Sequence, residues 1–193
     1  EALRPFFDEL PLPFTYELGE IGWASWLKEG DPVPQKTWEL IKHSDAALLG
    51  AITSKPEKEA KEALKAAGLD ETIAYVSPLI QLRQRLDLFA NIRPCFSIDS
   101  AHPFRFCIIR ENTEGLYAGF DFGILPDPLK EILALDPKWV KKRAEPIACT
   151  LRLQSQSGLK RIFHFAFEYA VKHHYDKVTL ADKPNVLQKS SAF

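Results

Sequence analysis

The apolar patterning of the chain predicts an α/β architecture, on three observations. Ala46 to Ile52 is a continuous apolar run between polar neighbours, the pattern of a strand covered on both faces of a parallel sheet. Gly158 to His174 carries Ile162, Phe165, Ala166 and Tyr169 on one stripe, widened by Phe163 and Phe167, and reads as a largely buried helix. Phe104 to Ile109 is a shorter apolar run, read as a buried strand, that leads into a segment dense in reactive side chains.

Composition sets outer bounds. The 193 residues suffice for one large domain or most of two. Hydrophobic and charged contents of 46% and 26% are ordinary for a soluble globular protein. A net charge of −1 leaves no electrostatic footprint for nucleic acid, and the apolar runs are too short to cross a bilayer. Neither partner is expected, and no signal peptide opens the chain. Cys95, Cys107 and Cys149 are odd in number and widely spaced, which suits neither a disulfide framework nor a zinc site. A reducing cytoplasm is the expected location.

In chain order, Glu1 to Leu10 has helical content that Pro11 and Pro13 end. Phe14 to Ile21 alternates as a strand would, and Trp23 and Trp26 read as packing residues. Asp31-Pro32-Val33-Pro34 opens a helix whose body runs from Thr37 to His43. Glu57 to Ala67 is a charged helix that Gly68 terminates. Leu79 to Asn91 reads as a helix between Pro78 and Arg93-Pro94. Charged helical pieces follow between Gly119 and Glu145, then strands at Pro146 to Gln156 and Lys177 to Ala181. His164, His173 and His174 have no acidic or cysteine partner at ligand spacing.

The chemistry concentrates in Arg110-Glu111-Asn112-Thr113-Glu114-Gly115-Leu116-Tyr117. A guanidinium can fork onto a carboxylate, and a phenol can pass a proton while its ring stays packed. The stretch reads either as a catalytic strand end or as an edge-strand turn with solvated charges. Arg83 and Arg93 read as salt-bridge residues or as ligands. Thr53 and Ser54, after the apolar run, read as a hydroxyl cap or as a ligand-facing loop.

Taken together, residues 77–94, 110–119 and 179–186, in that order and spacing, resemble the β-decarboxylating 2-hydroxyacid dehydrogenases, which include isocitrate, homoisocitrate, 3-isopropylmalate and tartrate dehydrogenases. The resemblance runs along nearly the whole chain. It implies an isocitrate/isopropylmalate dehydrogenase-like α/β sheet with helices on both faces, with residues 1–95 in a large domain. Residues 96–193 would belong to a smaller dimerisation domain, with a clasp at about 119–156 crossing to a partner in a homodimer. Members usually begin with a strand and a Gly-Asp-Gly turn and continue past an acidic metal-binding segment, so an incomplete fold is expected.

By the same resemblance Arg83, Arg93 and Arg110 hold the carboxylates of a small polyacid, with Ser77 as a further substrate ligand. Tyr117 gives the proton that quenches the enol, and Lys183, from the other subunit, helps remove the hydroxyl proton. Thr53, with Ser54 beside it, and Asn185 contact the nicotinamide of NAD or NADP. Mg²⁺ or Mn²⁺ serves as electrophile. The implied reaction is oxidative decarboxylation of a 3-substituted malate. Ser77 matches the isocitrate pattern, but Leu79 stands where those enzymes carry Asn. Leu79 and Ile80 suit 3-isopropylmalate, whose enzymes usually lack the Asn-Thr-Glu at 112–114, and some homoisocitrate enzymes share the Ser-Pro-apolar-apolar version. Isocitrate is the favoured expectation, then homoisocitrate. A non-catalytic regulatory subunit of such an enzyme is the contrasting one.

Overall fold

The computed structural model describes residues 4–9, 11, 13–53, 55–70, 72–99, 101–142 and 144–190. They divide into two units, Glu1–Gln81 and Leu82–Phe193. The first contains α1 (Arg4–Glu9), α2 (Trp23–Glu29), α3 (Gln35–Lys42) and α4 (Glu57–Ala66), and α5 (Pro78–Arg85) runs from it into the second. The second continues with β1 (Ala90–Phe96), β2 (Arg105–Glu111), β3 (Asp121–Phe122), α6 (Asp127–Leu133), α7 (Pro137–Val140), β4 (Cys149–Thr150) and α8 (Gln156–Lys172).

Trp26 is the anchor of the first unit. Its ring is fully buried against Ala60 and Leu64, the apolar positions that the charged helix α4 turns inward. The indole Nε1 donates to the Ala60 carbonyl at 3.2 Å, so the polar end of the ring is satisfied without reaching water. Tyr75 packs edge-on against Trp26 and Trp23, with ring centroids 5.1 and 5.9 Å apart. The sequence expectation of packing tryptophans holds. Gly68, at φ +69, closes α4 with the paired bonds of a Schellman motif: its own amide reaches Lys65 and that of Leu69 reaches Leu64.

The same device ends α5 early. Asp87 takes a left-handed φ of 48, its amide reaches the Gln84 carbonyl, and the Leu88 amide reaches that of Arg83 at 2.9 Å. The expected helix through Asn91 therefore stops at Arg85, and Ala90 already begins β1. Pro94, which lacks an amide donor, is tolerated because among the described residues β1 pairs only with β2.

β1 and β2 form an antiparallel pair, as do β3 and β4, with a further bridge between Gly115 and Leu153. Among the described residues there is no parallel sheet with helices on both faces. The strands expected at 14–21, 46–52 and 177–181 are not formed either. A strand is held by the ladder of a neighbour, and none lies beside these runs among the described residues. Leu48 is 75% exposed, where burial on both faces was expected. The strand expected across 146–156 contracts to β4, held by its short partner.

Burial of β2 is also partial. One face lies against α8, while Phe106 and Ile108 on the other are about half exposed. On α8, Ile162 and Ala170 are buried but Phe163 and Phe167 are 40% and 54% exposed, so the predicted helix is right and its full burial is not. Leu64→Ala should cost about 3 kcal/mol by leaving a cavity beneath Trp26. Equilibrium denaturation followed by tryptophan fluorescence checks this, and a cost below about 1 kcal/mol would show that the site collapses freely.

Candidate functional site

β2 ends in Arg110 and Glu111, and the turn that follows is organised by the glutamate. One oxygen of Glu111 accepts from the amides of Asn112, Thr113 and Glu114 at 2.9, 2.7 and 3.1 Å, and from the Thr113 hydroxyl at 2.7 Å. Successive amides pointing at one anion form a nest for it. Partial burial works against the charge. The Thr113 amide and hydroxyl, with the amides of Glu114 and Asn112, outweigh burial and hold the carboxyl below the usual glutamate range.

Asn112 is 5% exposed and ties the turn to its surroundings. Its amide nitrogen donates to the Leu88 carbonyl at 3.2 Å, and its oxygen accepts from Arg110 at 3.3 Å. Two residues further on, Glu114 reaches the start of α8, where its carboxylate accepts from the Ser155 amide at 2.8 Å and hydroxyl at 2.5 Å. The Ser155 hydroxyl in turn caps the helix by accepting from the Gly158 amide. A Cβ at Gly158 would stand 2.4 Å from the Glu114 carboxylate, so a larger residue there would displace that side chain.

The loop delivers Tyr117 to the end of α5, where the Gln84 side chain donates to the Tyr117 carbonyl at 3.2 Å. The guanidinium carbons of Arg83 and Arg110 then lie 5.4 and 5.2 Å from the centre of the Tyr117 ring. Both contacts are within cation–π range. Arg93 lies two positions along β1 from Asn91, the residue directly opposite Arg110, so Arg93 and Arg110 share a face of the ribbon. Arg93 is exposed and donates to Asn91 at 2.7 Å. Among the described residues none of these three guanidinium groups is paired with a carboxylate, and the Nε of Arg110 is buried without a hydrogen-bond partner.

The structure thus brings Arg83, Arg110 and Tyr117 together and puts Arg93 on the face beside them. Lys183 and Asn185 sit in an exposed turn after α8, where the Lys183 carbonyl accepts from Val186 and Leu187. No hydrogen bond, ion pair or ring contact joins them to the arginines among the described residues. Ser77 and Thr53 belong to the first unit. The Ser77 carbonyl accepts from the Ile80 and Gln81 amides at the start of α5, and Thr53 is exposed. Ser54 lies outside the described residues.

Arg161 escaped the sequence reading. It is on α8, four residues before Phe165 and eight before Tyr169, so a guanidinium at the head of an aromatic stripe was the available signal. The described residues contain no group of three or more His, Cys, Asp or Glu side chains able to hold a metal ion. The expected Mg²⁺ or Mn²⁺ therefore finds no ligand set among them.

Two guanidinium groups thus flank one phenol at the end of β2. The chain belongs to the isocitrate/isopropylmalate dehydrogenase family, whose sequence model matches residues 3–193. It is 55% identical over 194 residues to Protein DlpA of Legionella pneumophila, a match covering all of this chain and 32% of DlpA. It is 33% identical to homoisocitrate dehydrogenase of Methanocaldococcus jannaschii, across 88% of this chain and 44% of that enzyme. To 3-isopropylmalate dehydrogenase of Archaeoglobus fulgidus it is 31% identical, across 98% of this chain and 48% of that enzyme. The chain thus spans a third to a half of the length of these relatives. The name DlpA specifies no reaction, whereas the other two do.

The state of Glu111 gives a testable pH dependence. Its folded value lies below the ordinary 4.5, so its contribution is complete above that value and is lost as pH falls through the folded one. Amide exchange at residues 112–114, corrected for intrinsic rates, should accelerate below about pH 4.5 in wild type. In Glu111→Gln the protection should be weak throughout and independent of pH. Equal protection in both proteins at neutral pH would remove Glu111 from this role.

Proposed function

We propose that the protein carries out the oxidative decarboxylation of a 3-substituted malate with NAD or NADP, isocitrate being the favoured substrate, in the cytoplasm and as a homodimer. Homoisocitrate and 3-isopropylmalate are the next substrates to consider. The observation that supports this reading best is the convergence of Arg83 and Arg110 on Tyr117 without a carboxylate between them. Planar forks orient a rigid polyacid in a way that a point charge cannot. Arg93, on the same ribbon face as Arg110, supplies a third fork. With the acid so held, the Tyr117 hydroxyl is the group to hand a proton to C3 after carbon dioxide leaves.

Lys183 takes the hydroxyl proton on this reading from a second copy of the chain, which accords with its exposure in its own unit. The segment 119–156 contributes the contact between copies, and the exposed Ile124, Ile132 and Leu135 along it support that role. Ser77 contacts the substrate, and Thr53 and Asn185 face the nicotinamide. Both are exposed. A non-catalytic regulatory subunit is the second reading, favoured by the 55% identity to DlpA, whose name specifies no reaction.

The deciding experiment offers isocitrate, homoisocitrate and 3-isopropylmalate to the full-length polypeptide with each nicotinamide cofactor and Mg²⁺. Turnover of one acid supports the enzyme reading, and turnover of none supports the regulatory one. Arg110→Lys should raise KM for the acid about tenfold or more by losing the fork. Tyr117→Phe should lower kcat about a hundredfold while leaving hydride transfer in a single turnover much less affected. Near-normal turnover in Tyr117→Phe would take the phenol out of the mechanism.

A further inference from the structure

We infer that Arg161 is the positioning residue that holds Arg83 and Arg110 to a single aromatic ring. Its Nη1 lies 2.6 Å from the Asp87 carboxylate, and its Nη2 donates to the Thr113 hydroxyl at 3.4 Å. The guanidinium carbon lies 4.2 Å from the centre of the Phe89 ring, and Phe89 packs edge-on against Phe165 of α8 itself. One planar group therefore touches the residue that ends α5, the residue that leads into β1, and the turn that leaves β2. Asp87 is four residues from Arg83, and Thr113 is three from Arg110.

The geometry also keeps Arg161 out of the clamp. Its stacked face and its bonds to Asp87 and Thr113 commit it to protein partners. An exposed ion pair would fix little, because two long side chains in water are cheap to separate. Here the Arg161 side chain is 35% exposed, and stacking and a second arm determine its orientation. Gln84 and Asn112 bridge the same gap with neutral hydrogen bonds. Arg161 adds a charge-assisted tie between the helix that carries Arg83 and the turn next to Arg110. Lysine would keep the charge but could neither stack as a plane nor reach both partners.

The effect on the polyacid rests on the proposed dehydrogenase reading, whereas the effect on the two arginines does not. The test uses the full-length polypeptide as wild type, Arg161→Lys and Asp87→Asn, each checked for folding by circular dichroism. Phenylglyoxal modification is followed by mass spectrometry at Arg83 and Arg110, with exposed Arg152 as internal reference. Both variants should react about threefold faster or more at Arg83 and Arg110 and at an unchanged rate at Arg152. For the acid that wild type turns over, KM should rise about tenfold, with kcat changed much less. Unchanged reactivity at Arg83 and Arg110, or an unchanged KM for that acid, overturns the assignment. Turnover of no acid by wild type removes the dehydrogenase reading and leaves the footprint to decide the positioning. Should Arg161→Lys fail to fold, Asp87→Asn decides the question by the same measurements.

Discussion

Two positive charges against one phenol ring repel each other, and the second unit must hold them there. Each cation–π contact returns only about 0.5–1 kcal/mol at a partly exposed site, so the ring does not hold the pair by itself. The restraint comes from the backbone. Arg83 is fixed by a helix closed with a Schellman motif, and Arg110 by an antiparallel register that sets it opposite Asn91. The charges are held close because the elements carrying them are joined through Asn112, Gln84 and Arg161.

The disposition of nearby carboxylates follows the same logic. Glu111 is absorbed by the amides of its own turn, Glu114 by the first residue of the α8 cap, and Asp87 by Arg161. Each is within reach in sequence of an arginine of the cluster, yet none neutralises one among the described residues. A carboxylate given to backbone amides keeps its charge and fixes the turn. One given to Arg83 or Arg110 would occupy the donors that an acidic ligand needs.

What was legible in the sequence divides along the range of the forces involved. Helices with local signals appeared where expected: α4 with its Gly68 cap, α3 after Pro34, and α8 along its aromatic stripe. The grouping of Arg83, Arg110 and Tyr117 was implied only by the family resemblance; the residues alone also read as salt-bridge and turn positions. Strands were less legible. Ala46 to Ile52 is apolar enough for a sheet interior, but ladder pairing is a long-range property that apolar content alone does not supply. The end of α5 was hidden for the opposite reason: a left-handed aspartate is a rare terminator, and the apolar period continues past it to Phe89. Arg161 was missed because a lone charge on an apolar stripe is ordinarily a solvated edge residue.

The site residues also fall into two groups by how they are held. Arg83, Arg110 and Tyr117 are set by contacts within one unit, most of them to residues 84–93, 110–117 and 155–161. Lys183, Asn185 and Thr53 sit on exposed segments that no described contact ties to that cluster. On the proposed reading this group orients the acid with two guanidinium forks and keeps the phenol beside them. On the same reading, proton removal and cofactor contact fall to the exposed Lys183, Asn185 and Thr53. Tyr117, the proton donor on this reading, is thus held with the binding groups, apart from Lys183. The rigid part can be altered through the residues that hold it, Arg161 among them, without touching Lys183.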